Sequence, residues 1–261
     1  MKFSLIVATI GRTEELQLFL GSLDAQKCRD FEVIVVDQNG DLDIAPLLGN
    51  RRFPIRYVRS SPGASRARNA GLRMAQGEII AFPDDDCTYE ADTLSAVADF
   101  FESHPDVGAV IGKWEPRPCV REEVGRYGVF RRAGTCFYFL RREWTAPIGE
   151  FDEDFGPGPD SRYKGGEDTD YLIRGLVLGM RIFREPTIVI RHPDMSFDPN
   201  SRRKVRSYGV ARMALLRKHR YSPWFRLANL LFPVFKMVLC PTKICYLWEM
   251  FRGRLEGILR S

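Results

Sequence analysis

The chain has 261 residues and a mass of 30.0 kDa, enough for one large α/β domain with an extension. With 44% hydrophobic and 28% charged residues it can bury a real core, which excludes wholesale disorder and a fibre. The net charge of +5 hides a split: residues from 201 onward carry 14 Lys and Arg against 2 Asp and Glu, whereas residues 1–200 carry 25 against 32. An acidic body with a basic tail implies an anionic partner for the tail.

In chain order, Phe3–Ala8, Phe31–Val36, Ile55–Val58 and Glu78–Phe82 are short apolar runs that end in polar residues. Such runs, rich in β-branched side chains, predict buried parallel strands. Helical patterns lie between them. Thr13 is expected to cap a helix over Glu14–Gln26 that buries Leu16, Phe19, Leu20 and Leu23. Ser65–Gln76 and Glu90–Ser103 fit two more helices. Alternation of strand and helix predicts a doubly wound α/β sheet. The second half adds a strand at Val107–Trp114, an Arg- and Pro-rich stretch at 115–133 without a readable pattern, and an apolar run at Thr135–Leu140. Next come a Gly- and Pro-rich loop at Gly156–Gly166, a helix from Glu167 to Leu178, and two short strands at Arg181–Phe183 and Thr187–Ile190. We divide the chain into a catalytic domain, 1–200, and a helical extension, 201–261.

Six cysteines without a CxxC pair, in a chain with an ample core, predict free thiols. The N-terminus lacks a signal-peptide layout. Both point to the cytoplasm.

Doubly wound sheets bind ligands beyond the carboxyl ends of their strands. That rule singles out Ala8–Arg12, Asp37–Asn39 and Pro83–Cys87. Asp84-Asp85-Asp86 is the loudest of these signals, because three adjacent carboxylates repel one another unless a cation intervenes. Mn²⁺ or Mg²⁺, which prefer oxygen ligands, would serve and would anchor a diphosphate. An N-terminal acidic cluster for the next helix is the structural alternative. Glu167-Asp168 follows two glycines and is a second acidic site, fit for a general base or simply for a helix start.

Taken together, Ser4-Leu-Ile-Val-Ala-Thr-Ile-Gly-Arg12, Glu32-Val-Ile-Val-Val-Asp37, Gly63-Ala-Ser-Arg-Ala-Arg-Asn-Ala-Gly71, Gly77-Glu-Ile-Ile-Ala-Phe-Pro-Asp-Asp-Asp86, Gly149-Glu-Phe-Asp152 and Gly166-Glu-Asp-Thr-Asp170 occur in a fixed order. Over about residues 3–192 the chain resembles the family-2 inverting nucleotide-sugar glycosyltransferases. The resemblance implies a GT-A-type mixed sheet flanked by helices and a nucleoside-diphosphate sugar donor. It places Ala8, Thr9, Arg12, Asp37, Arg68 and Asp85 at the nucleotide, with Arg66 as a helper to Arg68. Asp84 and Asp86 match the outer positions of the family's DxD motif, with Asp86 for direct metal contact and Asp84 for sugar or ribose contact. Asp168 matches the catalytic base, Glu167 and Trp114 would lie near the acceptor, and His192 would lie near the metal. The acceptor implied is a saccharide or lipid-linked saccharide of surface polysaccharide synthesis.

The tail continues the pattern. Ser201–Tyr221 is basic and amphipathic, and Trp224–Phe251 is apolar and aromatic but interrupted by Pro233, Lys236, Pro241 and Lys243. Aromatic residues flanked by Arg and Lys predict a helix lying on an anionic leaflet rather than a span, with packing on the domain or a homodimer contact as alternatives. No zinc-finger, RNP or helix-turn-helix signature supports nucleic-acid binding. A GxGxxG dinucleotide loop is absent. A sugar-nucleotide pyrophosphorylase would need a Gly-rich first loop, where only Gly11 stands. An inactive scaffold would have little reason to keep Asp37, Asp84, Asp86 and Asp168 together.

Overall fold

The computed structural model describes residues 1–115, 118–130, 134–193 and 201–259. Strands β1 (Phe3–Thr9) and β2 (Phe31–Asp37) flank helix α1 (Thr13–Asp24). A one-turn helix α2 (Ala45–Leu48) leads to β3 (Ile55–Arg59), helix α3 (Ala64–Leu72) and β4 (Ile79–Ala81). Then follow β5 (Thr88–Tyr89), α4 (Thr93–Ser103), β6 (Ala109–Glu115), β7 (Glu122–Glu123), β8 (Tyr138–Arg141), α5 (Thr145–Ile148), α6 (Glu167–Val177) and β9 (Ile182–Arg191). Helices α7 (Ser201–Lys218), α8 (Pro223–Leu239) and α9 (Ile244–Leu259) form the extension.

The sheet order is β3-β2-β1-β4-β8-β6-β9-β5, with β7 on the side of β9. Strands β3, β2, β1 and β4 are mutually parallel, and β8 runs antiparallel between β4 and β6. This is a mixed sheet. β1 and β2 are apolar because helices cover both faces and every position is buried except Ala8, which is half-buried. The core centres on Phe82, whose ring meets Phe151, Tyr138 and Tyr171 edge-on. Each such large side chain contributes about 1.5–3 kcal/mol on burial.

Two expectations need correction, and two stretches gain definition. Thr13 is the first residue of α1 rather than its cap; Arg12 holds the cap position without a capping side chain. The two short strands predicted at 181–190 are one strand, β9, whose pairing with β6 shifts register between Gly112 and Lys113. A break in register hides a single long strand from a pattern reading. Pro233 lies inside α8, and the helix ends at Cys240, where Pro241–Lys243 form a 3₁₀ turn. The unreadable stretch 115–133 supplies β7 and a 3₁₀ turn at Gly128–Phe130, while residues 116–117 and 131–133 of it lie outside the described residues.

Helix α7 is part of the body. Met213, Leu216 and Tyr221 join the main core, and Val210, Ala211, Ala214 and Leu215 pack on Phe155 and Tyr163. Its basic end neutralises the body's acids: Lys218 meets Asp152 at 2.7 Å and Asp170 at 2.6 Å, and His219 meets Asp170 at 2.8 Å. Part of the charge split therefore closes on itself. These partners outweigh the burial that would raise Asp170 and hold its carboxyl down at about 2. Among the described residues no helix is long and apolar enough to cross a membrane.

Candidate active site

The predicted loops converge beyond the carboxyl ends of β1 and β4. A bridge from Ala8 to Asp84 carries the Asp84–Asp86 turn alongside the end of β1. A cleft of about 610 Å³ opens there, lined among others by Ala8, Arg12, Gln38, Arg68, Asp84 and Trp114. Asp85, Asp86, Glu167, Asp168 and His192 line it too.

Helix α3 shows how the local sequence builds the site. Ser65, Arg68 and Asn69 share one face, by the three- and four-residue spacing of a helix. Ser65 donates to the Phe155 carbonyl at 2.6 Å, and the Asn69 amide clasps the Phe151 backbone through both its groups, at 3.0 and 2.7 Å. Those bonds fix the segment that leads to α6. Arg68, buried on the same face, donates to Glu167 at 2.9 Å and to Asp84 at 3.2 Å. Arg66 faces the other way. It binds Glu153, Asp160 and Ser61 and does not line the cleft, so it takes no helper's position beside Arg68.

The repulsion within the Asp triplet is relieved in part by the protein itself. Arg12 donates to Asp85 at 2.9 Å and to Asp86 at 2.7 Å. Asp85 is buried, and burial raises its carboxyl despite Arg12. Burial also works on Asp86, but His192 and Arg12 outweigh it and hold that carboxyl low. Thr9 is buried at the end of β1. Asp37, directly opposite Thr9 in the sheet, is fully buried and accepts from the Tyr57 hydroxyl at 2.6 Å and from Asn39 at 2.8 and 2.7 Å. It lies behind the cleft, while its neighbour Gln38 lines it and accepts from Gly63 N at 2.7 Å.

A set of metal-ligating atoms meets in the cleft. A carboxylate oxygen of Asp84, the Cys136 thiol and an imidazole nitrogen of His192 lie within 4.8 Å of one another. Sequence reasoning missed Cys136, which carries no spacing signal. The expectation gave direct contact to Asp86; the geometry brings Asp84 into the group and leaves Asp86 at its edge, with Oδ1 3.2 Å from His192 Nε2. His192 Nδ1 lies 2.9 Å from the Pro193 carbonyl and must donate to it. Burial works against the charged ring, but Asp86 and Asp84 outweigh it and raise His192; a ring that gives up the Nε2 proton would aim its lone pair between them, the state that ligates a metal. Trp114 holds this arrangement: its indole N–H donates to the His192 carbonyl at 3.1 Å, and its ring stacks on Phe137. Trp114 thus positions His192. The carboxylates and the imidazole nitrogen fit a divalent cation.

At the far end of the cleft, Gly166 adopts φ 92°, a conformation that costs a glycine little, and turns the chain into α6. Glu167 and Asp168 therefore start the helix. Thr169 donates to one oxygen of Asp168, from its backbone at 2.6 Å and from its hydroxyl at 3.2 Å. Among the described residues the other oxygen has no donor. Burial first, and the Glu167 charge second, push the Asp168 carboxyl up to about 7. Asp168 also lines a second cavity of about 360 Å³ between α6, α7 and α9, so the two cavities meet at this residue. Tyr208 of α7 lines both. It too escaped the sequence reading, which placed α7 outside the catalytic domain.

Known proteins resemble the chain in sequence and in fold. The family described as glycosyl transferase family 2 matches residues 4–154. A PGL/p-HBAD biosynthesis glycosyltransferase of Mycobacterium bovis is 31% identical over 203 residues, covering 73% of each chain. Among solved structures, the mannosyltransferase PcManGT from Pyrobaculum calidifontis, in complex with GDP-Man and Mn²⁺, superposes with a TM-score of 0.75 at 18% identity. That match covers 100% of this chain and 88% of the other. S. aureus TarS 1–349 in complex with UDP-GlcNAc gives a TM-score of 0.65 at 17% identity, covering 98% and 92%. The sheet is thus of the GT-A type, and the chain belongs to glycosyl transferase family 2. It is a glycosyltransferase.

Proposed function

We propose that this protein moves a sugar from a nucleoside-diphosphate sugar to a hydroxyl of a saccharide or lipid-linked saccharide acceptor, with inversion, in surface polysaccharide synthesis. The observation that carries the reading is the placement of Asp168 at the junction of the two cavities, across one cleft from Asp84, Cys136 and His192. The GDP-Man and Mn²⁺ bound by one structural neighbour, and the UDP-GlcNAc bound by another, support a donor of this class.

Asp84 and His192, with Asp86 beside them, would hold a divalent cation, Mn²⁺ or Mg²⁺. Bound there, it supplies electrostatic neutralisation of the departing diphosphate. Arg68, fixed between Asp84 and Glu167, adds positive charge on the same side. Arg12 keeps Asp85 and Asp86 oriented. Asp168 takes the proton of the acceptor hydroxyl from the opposite side, and a pKa near 7 leaves it both ionised and basic enough at neutral pH. One displacement from that side inverts the anomeric centre.

Asp168→Asn is expected to lower kcat by about 10²–10⁴ while stabilisation by a nucleoside diphosphate with Mn²⁺ persists in a thermal-shift assay. Full turnover in this variant would refute the base assignment. We further propose that the enzyme works as a peripheral protein on the cytoplasmic face of an anionic membrane, seated through the exposed apolar side chains of α8 and α9.

A further inference from the structure

The second cavity holds two charges that the chemistry above does not use. Arg212 of α7 and Arg254 of α9 both line it, together with Tyr208, Leu215 and Met250. Arg254 is only 8% exposed. Arg212 is half-buried, and no carboxylate among the described residues pairs with either side chain, although the other fully buried arginines each have one: Arg68 has Glu167 and Asp84, and Arg184 has Glu122. Their bonds go to neutral groups. Arg212 Nε donates to the Asn229 side chain at 3.1 Å, and Arg254 donates to the Asn229 carbonyl. Their planes lie against aromatic rings, Arg212 over Phe130 at 3.7 Å and Arg254 over Phe232 at 5.6 Å. Arg254 Nε is buried without any acceptor.

Buried charges are normally paired, because a guanidinium stays ionised and its desolvation is costly. Here two like charges share one wall. Burial, followed by the Arg254 charge, pulls Arg212 down to about 9, and burial pulls Arg254 down to about 10. Both remain cationic at neutral pH. An arrangement of this kind suits an anion.

We propose that Arg212 and Arg254 form an oxyanion subsite that binds a phosphate carried by the acceptor. The inference rests on the reading of Asp168 as the base for that acceptor. A phosphate presents two unesterified oxygens and one charge as a diester, or three oxygens and nearly two charges as a monoester, and so matches two guanidinium forks at least as well as a single carboxylate does. The phosphate is the handle rather than the nucleophile: a phosphate oxygen is already ionised at neutral pH and needs no base, whereas a hydroxyl does. The apolar wall of Tyr208, Leu215 and Met250 suits a phosphate whose other substituent is a lipid.

The test is titration calorimetry on the full chain with EDTA present, so that no metal draws phosphate into the donor cleft. Two matched pairs serve as probes: farnesyl phosphate against farnesol, and glucose 1-phosphate against glucose. In the parent protein the phosphate member of a pair should bind at least tenfold more tightly than its alcohol. Arg254→Met should abolish that difference and Arg254→Lys should restore part of it, with Arg212→Met as the second removal should Arg254→Met fail to fold. Preference for farnesyl phosphate assigns a lipid-linked acceptor, and preference for glucose 1-phosphate assigns a soluble sugar phosphate. Equal binding of phosphate and alcohol, or a phosphate preference that survives both removals, overturns the subsite. A separate thermal shift with UDP and Mn²⁺ reports on the donor cleft. Its loss in the parent protein would count against the functional reading and not against the arginine pair.

Discussion

Asp168 occupies the first turn of α6, where a helix dipole ordinarily eases ionisation. Burial and the neighbouring Glu167 reverse that and push its carboxyl up to about 7. Only the ionised form accepts a proton, so kcat/KM should climb about tenfold per pH unit below that value and level off above it. A flat profile through that region in the parent enzyme would contradict the role. The same shift carries a stability signature. An acid whose folded pKa is raised binds its proton more tightly in the folded chain. Its unfolded form ionises first as pH rises, so stability falls between the ordinary carboxylate range and about pH 7. Asp168→Asn should therefore melt higher than the parent at pH 7 and above, while losing turnover. Calorimetric melting across pH checks this, and a lower melting temperature for the variant would count against it. The sequence makes Asp84–Asp86 and Glu167-Asp168 visible because adjacent like charges need a reason. It does not reveal the counter-charges. Arg12 meets Asp85 from 73 residues away and Arg68 meets Glu167 from 99, and Cys136 stands in no recognisable spacing. Such partners are set by the turns of the sheet rather than by local pattern.

At the scale of elements, strand and helix order up to α6 is legible because each piece announces itself by its own period. Helices α7 and α9 are less so, since their inner faces mix glycine and arginine with apolar residues. Their contact depends on glycine. A Cβ at Gly253 would lie 2.1 Å from the Arg206 carbonyl, and one at Gly257 would lie 2.8 Å from that of Val210. Gly209 approaches α9 in the same way. Side chains on these residues must force the helices apart, and the cavity that holds Arg212 and Arg254 lies between them. Gly253→Val should cost about 1–3 kcal/mol of stability by overpacking and raise the acceptor KM, with nucleotide binding retained. Gly40→Ala, where nothing lies within 4 Å, is the matched control. Thermal melts and steady-state kinetics on both variants decide it; if they behave alike, the close approach of α7 and α9 does not shape the acceptor side.

For the whole molecule, the split between acidic body and basic tail describes two surfaces. Lys218 and His219 close onto Asp170 of the body, while Arg206 closes onto Glu256 within the tail. That inner portion of the tail belongs to the catalytic body. The outer portion differs. Along α8, Trp224 is 80% exposed, Phe235 63% and Val238 79%, and Leu227 and Leu231 complete one stripe at helical spacing. Contiguous exposed apolar side chains of this size mark a contact surface, and Arg226, Lys236 and Lys243 lie beside them in the chain. A helix with an aromatic face and basic flanks fits the interface of an anionic leaflet. A phosphate-linked lipid acceptor would be presented at that same surface. The substitution Trp224→Ser with Phe235→Ser and Val238→Ser leaves the buried Asn229 and Pro233 of α8 in place. It should lower partition onto phosphatidylglycerol vesicles at least tenfold, since each large side chain withdrawn from lipid costs about 1.5–3 kcal/mol. Activity on a soluble acceptor should remain. The parent protein should also leave the vesicles as salt rises, because each base near such a surface adds about 1 kcal/mol that salt screens. If vesicle binding is unchanged and the parent elutes as a dimer that the triple variant loses, the stripe joins two copies of the chain instead of a membrane.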